Sequence, residues 1–353
     1  MLDFYKGKRV LVTGHTGFKG SWLCRILALS GAVVYGYALE PEEGNRVLFY
    51  TVKDSPGLTS HIGDIRDYQE LKSFFDMAQP QIVFHLAAQP IVRTSYKEPR
   101  LTYETNVMGT VNLCECIRLG GSVKSFVNVT TDKVYLNPED GRSFSEEDKL
   151  DGFDPYSNSK SCSELVTHSY CNSFLKDMNI AVSTARAGNV IGGGDFAADR
   201  LAPDLMRAAL SGSEMIIRNP DSVRPFQHVL EALSAYLLLA KRQYEDMSFA
   251  GAYNVGPLYE DCKCAGEIAL SFADKWNEIS GKELDLSVKK DGGPHEAGLL
   301  YLDCKKIRER LGWEPKWDID TALLKCALWT LEYQKGSHKE CMDRQIKEYF
   351  EEV

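Results

Sequence analysis

Arg9-Val10-Leu11-Val12-Thr13-Gly14-His15-Thr16-Gly17-Phe18-Lys19-Gly20-Ser21-Trp22 is the stretch on which the fold turns. A β-branched run, Arg9 to Thr13, predicts a buried strand. It ends in Gly14-x-x-Gly17-x-x-Gly20 and passes into residues 21–30, whose apolar spacing is helical. Glycines between a strand and a helix let the backbone approach a pyrophosphate closely, with free N–H groups and the positive helix end aimed at it. Gly14, Thr16, Gly17, Phe18, Lys19 and Gly20 are therefore the expected phosphate-binding loop of a dinucleotide site. His15 and Lys19 either add positive charge there or are simply solvated.

Outward from this loop the strand and helix signals alternate. Strands are predicted at residues 32–37, near 60–62, at 82–86, 126–129 and 180–184, with helices over 68–77, 107–119 and 156–175. That order implies right-handed crossovers and a doubly wound α/β fold of Rossmann type, a parallel sheet with ligands at the strands' carboxyl ends. After Arg186 the texture changes, as Gly192-Gly193-Gly194 loosens the chain and prolines punctuate shorter elements. Residues 229–240 and 253–255 read as returning to the sheet. The expected organisation is a dinucleotide-binding domain over 1–187 with returning segments near 229–256, and a smaller interleaved α/β substrate lobe over 188–228 and 257–353. The last forty residues, with Trp313, Trp317 and Trp329, read as packed amphipathic helices.

Composition restricts the partners. The chain has 353 residues, 44% hydrophobic and 26% charged, and a formal charge of −9. With no basic run, nucleic acid and anionic membrane surfaces are poor partners, since both are held mainly by Lys and Arg. No apolar run approaches the ~20 residues of a membrane span, and the location expected is cytoplasmic. Ten cysteines without a CxxC pair or a histidine cluster at zinc spacing read as reduced thiols, and no metal is expected.

Two further signals concern chemistry. The second strand ends in Ala38 where an aspartate ordinarily meets the adenosine ribose, with Glu40 two residues beyond and no arginine beside it for a 2′-phosphate. NAD is the expected cofactor, with NADP not excluded. Asp64, followed by Ile65, ends the third strand and either accepts from the adenine amine or caps the next helix. Then comes Asp154-Pro155-Tyr156-Ser157-Asn158-Ser159-Lys160. Proline favours the first helical position, so Tyr156 and Lys160 project from one face. A phenol of pKa ~10 is a poor base at neutral pH. A nearby ammonium and an oxidised nicotinamide favour phenolate, and so removal of a hydroxyl proton as hydride leaves.

The glycine loop, Leu86-Ala87-Ala88, Thr105-Asn106-Val107 and Tyr156-x-x-x-Lys160 together resemble the extended short-chain dehydrogenase/reductase family. Longer strings, among them residues 15–22, 92–96, 131–133, 185–195 and 224–231, resemble its CDP-glucose 4,6-dehydratase branch over roughly residues 7–317. The resemblance implies a lyase that oxidises the sugar at C4, eliminates water across C5–C6 and returns hydride to C6, regenerating NAD. It gives Leu86, Ala87, Ala88, Asn106 and Thr130 to the cofactor site. Tyr156, Lys160, Asp132, Lys133 and Thr131 become the catalytic set, with Asp132 as acid and Lys133 as C5 base or enolate stabiliser. Whether Thr131 or Thr130 bonds the 4-hydroxyl stays open. For substrate it implies Gln89, Arg93, Ser95, Asn189, Leu201, Arg218, Arg224, Gln227 and His295, with Asn189 and Arg224 on the diphosphate. The partner implied is a nucleoside-diphosphate hexose, CDP-glucose first, and the assembly a homodimer.

The chain departs from that branch in two places. Residues 134–144 hold no tryptophan, and Phe226 stands where tryptophan is usual, so nucleotide and hexose stay open. Two other readings survive. A nucleotide-sugar C4-epimerase shares everything but the Asp132/Lys133 pair, and a non-catalytic dinucleotide sensor would have no need of the Tyr156 phenolate.

Overall fold

A computed structural model describes residues 1–289 and 299–351. Seven strands, β1 (Arg9–Thr13), β2 (Val33–Ala38), β3 (Leu58–Ile62), β4 (Ile82–His85), β5 (Ser125–Val129), β6 (Ala181–Ala187) and β7 (Ala252–Val255), form one sheet in the order β7-β6-β5-β4-β1-β2-β3. Every pairing in it is parallel. The order reverses between β1 and β4, which opens a crevice above their carboxyl ends.

The continuous apolar character of β1 follows from burial on both faces. Val10 and Val12 point into a core shared with Trp22, Ile26 and Leu237, while Leu11 points the other way, with Val83, Phe75 and Leu113. Ten helices of seven residues' length or more in their longer class flank these layers: α1 (Phe18–Leu29), α2 (Glu43–Val52), α3 (Tyr68–Ala78), α4 (Gly109–Gly120), α5 (Pro155–Tyr170), α6 (Leu201–Ser211), α7 (Val229–Glu245), α8 (Ala265–Ser280), α9 (Ile319–Gln334) and α10 (His338–Glu351). The sequence reading had no element at α2. A wide π turn, Glu104–Met108, leads into α4, and a second, Cys171–Leu175, ends α5.

α7 and β7 return to the sheet as expected. A separate core joins α6, α8 and α9 through Met206, Phe272, Trp276 and Leu323. The tail is shared between the two cores, since Cys304 to Trp317 and Cys341 to Tyr349 pack into the first, although the expected boundary gave all of 257–353 to the substrate lobe. One expectation is corrected outright. Gly192, Gly193 and Gly194 do not loosen the chain; they are buried, because a Cβ at Gly193 or Gly194 would enter the Trp329 ring and one at Gly192 would meet Val229 and Phe18. Small residues are required there so that the chain can lie flat on tryptophan. The Trp22 indole N–H donates to the Gly193 carbonyl at 3.0 Å and fastens the run.

Candidate active site

A cleft of about 490 Å³ follows the carboxyl ends of the strands, from Ala38 and Asp64, over the glycine loop, to Tyr156 and on to Arg224. The loop is built by close approach. Gly14 has φ +75°, and a Cβ there would lie 2.7 Å from the Ala87 nitrogen, so β1 and the exit of β4 touch backbone to backbone. The Gly17 N–H closes the turn on the Gly14 carbonyl at 3.1 Å, and the Thr16 hydroxyl donates to the Leu39 carbonyl at 2.9 Å.

His15 fulfils neither expectation. It is buried, pairs with the Ser60 hydroxyl at 2.7 Å and lies against Gly36, where a Cβ would enter its ring. Burial lowers it to about 4, so it is neutral packing. Lys19 does line the cleft; burial, then the Arg200 guanidinium, lowers it to about 8.

At the far end Glu40, Glu42 and Asp64 present carboxylates beside the short Ala38 side chain. Asp64 does not cap α3. Its carboxylate accepts from the Arg66 backbone and guanidinium, the closest bond being 2.5 Å, while Asp67 caps the helix through the Glu70 N–H.

Asp154 caps α5 by accepting from the Ser157 N–H at 3.0 Å, with Pro155 at its first position. That start fixes Tyr156 and Lys160 on one face. Lys160 is buried, donates to the Val129 carbonyl at 3.1 Å, and is lowered to about 7 by burial and by Lys19. Tyr156 hydrogen-bonds Thr131, yet burial outweighs that bond and pushes its phenol up to about 12. The direction is opposite to the expected one, because desolvation disfavours a phenolate more than the neighbouring donors favour it.

The threonine register resolves on hydrogen bonding. The Thr130 hydroxyl is spent on Glu164 at 2.5 Å, whereas Thr131 faces Tyr156 and donates to Asp132 Oδ1 at 2.9 Å. Asp132 is buried, its other oxygen Oδ2 has no partner among the described residues, and burial raises its carboxyl above the usual range. Lys133 lines the cleft beside it.

Ile65, Leu86, Ala87, Ala88, Arg93, Asn189, Leu201, Arg218 and Arg224 all line the cleft. Arg218 pairs with Asp199 at 2.8 Å. Four expected contacts do not reach it. Asn106 is buried with its amide spent on both backbone groups of Gln89 and on the Ser159 hydroxyl. The Gln89 side chain bonds Thr102 and the Ile91 N–H, and the Ser95 hydroxyl bonds the Val92 carbonyl. Gln227 donates to the Val255 carbonyl at 2.9 Å. These four brace the walls. His295 lies outside the described residues.

Other residues carry roles that the motifs did not reveal. Arg200 reaches the cleft and pairs with the buried Asp195 at 2.8 Å. Glu164 and Arg186 form a buried ion pair at 2.9 Å beneath Thr130. His85, at the end of β4, bonds Thr13 at 2.7 Å and Thr110 at 3.2 Å, and burial lowers it to about 3. The only sequence signal for these is a polar residue at a position whose neighbours in the pattern are buried.

Among the described residues no group of acidic, histidine or cysteine side chains is placed to hold a metal ion, and no helix is long and apolar enough to cross a membrane. With the geometry in hand, comparison with known proteins is informative. The family model described as GDP-mannose 4,6 dehydratase matches residues 11–325. The CDP-glucose 4,6-dehydratase of Salmonella typhimurium is 45% identical over 98% of this chain and 97% of its own length. MoeE5, solved with UDP-glucuronic acid and NAD, superposes with a TM-score of 0.77 at 25% identity, over 93% of this chain and 100% of that one. The dTDP-glucose 4,6-dehydratase of Bacillus anthracis, solved with NAD, gives 0.77 at 23% identity over 94% and 98%, a likeness of fold. On the extent of these matches and the strand-turn-helix site they coincide with, the chain belongs to the GDP-mannose 4,6-dehydratase family of extended short-chain dehydrogenases/reductases.

Proposed function

We propose that this protein is an NAD-dependent nucleotide-sugar 4,6-dehydratase that converts CDP-D-glucose to CDP-4-keto-6-deoxy-D-glucose. The observation that carries the reading is Asp132, a buried carboxyl raised above its usual range, set beside the Tyr156–Thr131 pair. An epimerase has no water to expel and no use for a protonated carboxyl at that place. The 45% identity to a CDP-glucose 4,6-dehydratase supports the choice of reaction and nucleotide.

The residues fit a dinucleotide. Gly14 leaves a surface that a Cβ would fill, the loop presents backbone amides, and Lys19 stands over it as a cation. Glu40, Glu42 and Asp64 at the ribose end oppose a 2′-phosphate, in favour of NAD. Bound there, NAD supplies the acceptor and later donor of hydride, and the positive charge that draws the neighbouring phenol toward phenolate.

The chain's own groups do the proton chemistry. Tyr156 takes the proton of the 4-hydroxyl, Thr131 holds that oxygen, and Lys160 fixes the local charge from below. Once C4 is a ketone the C5 proton is acidic. A base, which we assign to Lys133, removes it while Asp132 gives its proton to the departing C6 oxygen. Arg93, Arg218, Arg224 and Asn189 hold the nucleotide end, a guanidinium fork being suited to two phosphoryl oxygens.

The reading extends to organisation. Ten free cysteines suit the reducing cytoplasm. The first core and the α6-α8-α9 core serve as dinucleotide and sugar domains. A homodimer would bury Met108, Leu119, Leu165 and Phe174, large apolar side chains exposed along α4 and α5 and their π turns, and light scattering after gel filtration reads its mass. For the reaction, CDP-, UDP-, GDP- and dTDP-hexoses are supplied with NAD and the products weighed. CDP-glucose should give a product lighter by one water with solvent deuterium at C5; a mass-neutral change at C4 would instead identify an epimerase.

A further inference from the structure

Tyr236 lies two turns into α7 and is fully buried, yet its hydroxyl has no hydrogen-bond partner among the described residues. A buried hydroxyl left in that state costs about 1–3 kcal/mol, and such a group in a native fold calls for a reason. Its surroundings supply one. The Lys19 ammonium sits 5.9 Å from the ring centre, which places the residue under the glycine-loop side of the cleft. Asp132 and Tyr156 are near enough for their charges to act on its hydroxyl.

Asp132 has the complementary deficit. Thr131 holds its Oδ1, while Oδ2 is buried with nothing bonded to it. One pocket therefore contains an unpartnered phenolic hydroxyl and an unpartnered carboxyl oxygen. Since neither has a partner, the two atoms stand farther apart than a direct hydrogen bond. One water is the smallest group that satisfies both, and buried waters are found where two or more such polar atoms converge.

We propose that Tyr236 is a positioning residue for Asp132, its hydroxyl joined to Oδ2 through one ordered water so that the carboxyl is held at both oxygens. With Oδ1 alone fixed, the carboxyl turns about its bond to Cβ. A second anchor holds the acid toward the C6 oxygen, and such pre-orientation lowers the barrier to proton transfer. The proposal rests on the reading of Asp132 as the dehydration acid.

The test is Tyr236→Phe in the full-length enzyme with NAD and CDP-glucose. With the acid misplaced, kcat should fall about 10-fold while KM stays constant, an interaction made only in the transition state having been lost. Elimination then becomes the slow step, so the primary isotope effect on kcat from deuterium at C4 should decline toward one. The melting midpoint should hold or rise, because the variant removes only an unpartnered hydroxyl. In an Asp132→Asn background the same change should cost nothing more, since the hydroxyl acts through that carboxyl. Unchanged kcat and isotope effect, additive losses, or a lowered melting midpoint matching the loss of turnover would each overturn the proposal. If the wild-type enzyme dehydrates none of the nucleotide hexoses, it is the parent reading that fails; if it dehydrates CDP-glucose and Tyr236→Phe does too at full rate, only this one does.

Discussion

Tyr156 illustrates how a residue's type, position and environment carry separate information. Its type and its spacing from Lys160 were visible in the chain; the direction of its pKa was not, because burial is decided by residues far away in sequence. Tyr156→Phe should lower kcat by about 10²- to 10⁴-fold, the usual contribution of a proton-transfer group. Folding should be kept, as the hydroxyl bonds only Thr131 among the side chains that act on it favourably; comparing turnover with the melting midpoint checks both. At Gly14 the constraint is steric instead. With φ +75° and the Ala87 nitrogen 2.7 Å from a Cβ, Gly14→Ala must push β1 and β4 apart. Affinity for NAD, read by quenching of tryptophan fluorescence, should drop about 10-fold or more, a loss of about 1.4 kcal/mol.

At the scale of elements, every sheet strand expected from the alternating pattern forms within a residue or two of its predicted bounds, since period and β-branched content are local properties. α2 was missed because Glu43-Gly44-Asn45-Arg46 opens it without an apolar face. The site was legible where chemistry fixes residue type, as in Gly14, Asp132, Tyr156 and Lys160. It was illegible where a side chain is consumed by backbone groups. Asn106 reads as a ligand, but the π turn before α4 directs its amide into Gln89 and Ser159, so it ties the β4 exit to α5. Asn106→Ala should lower stability by about 1–3 kcal/mol through buried groups left unbonded, measurable by urea denaturation. Glu164 and Arg186 pose the same problem across two elements. Glu164→Ala leaves the guanidinium buried without its carboxylate and should cost about 3–5 kcal/mol, a loss that the same titration reads.

For the whole molecule, acid should be the weak side. His15, His85 and His228 are buried and lowered to about 4, 3 and 3. Unfolded histidine titrates near ~6.5, so below that pH the unfolded chain binds protons that the folded one refuses. Stability is complete above about 6.5 and is lost as pH falls, at about 1.4 kcal/mol per unit for each histidine. Glu231, raised to about 7 by burial, works in the opposite sense between its ordinary value and 7, but it is one group against three. The melting midpoint should therefore fall steadily from pH 6.5 to 4, and His85→Gln should flatten part of that slope; a midpoint flat across the range contradicts the assignment. The glycine run laid on Trp329 and pinned by Trp22 has an optical consequence. All five tryptophans are buried, none above 8% exposure, and these two sit where the chain crosses from one core to the other. Their emission should be blue in the native state, and a red shift that precedes loss of far-ultraviolet ellipticity would register the parting of the two cores while each still holds its own helices.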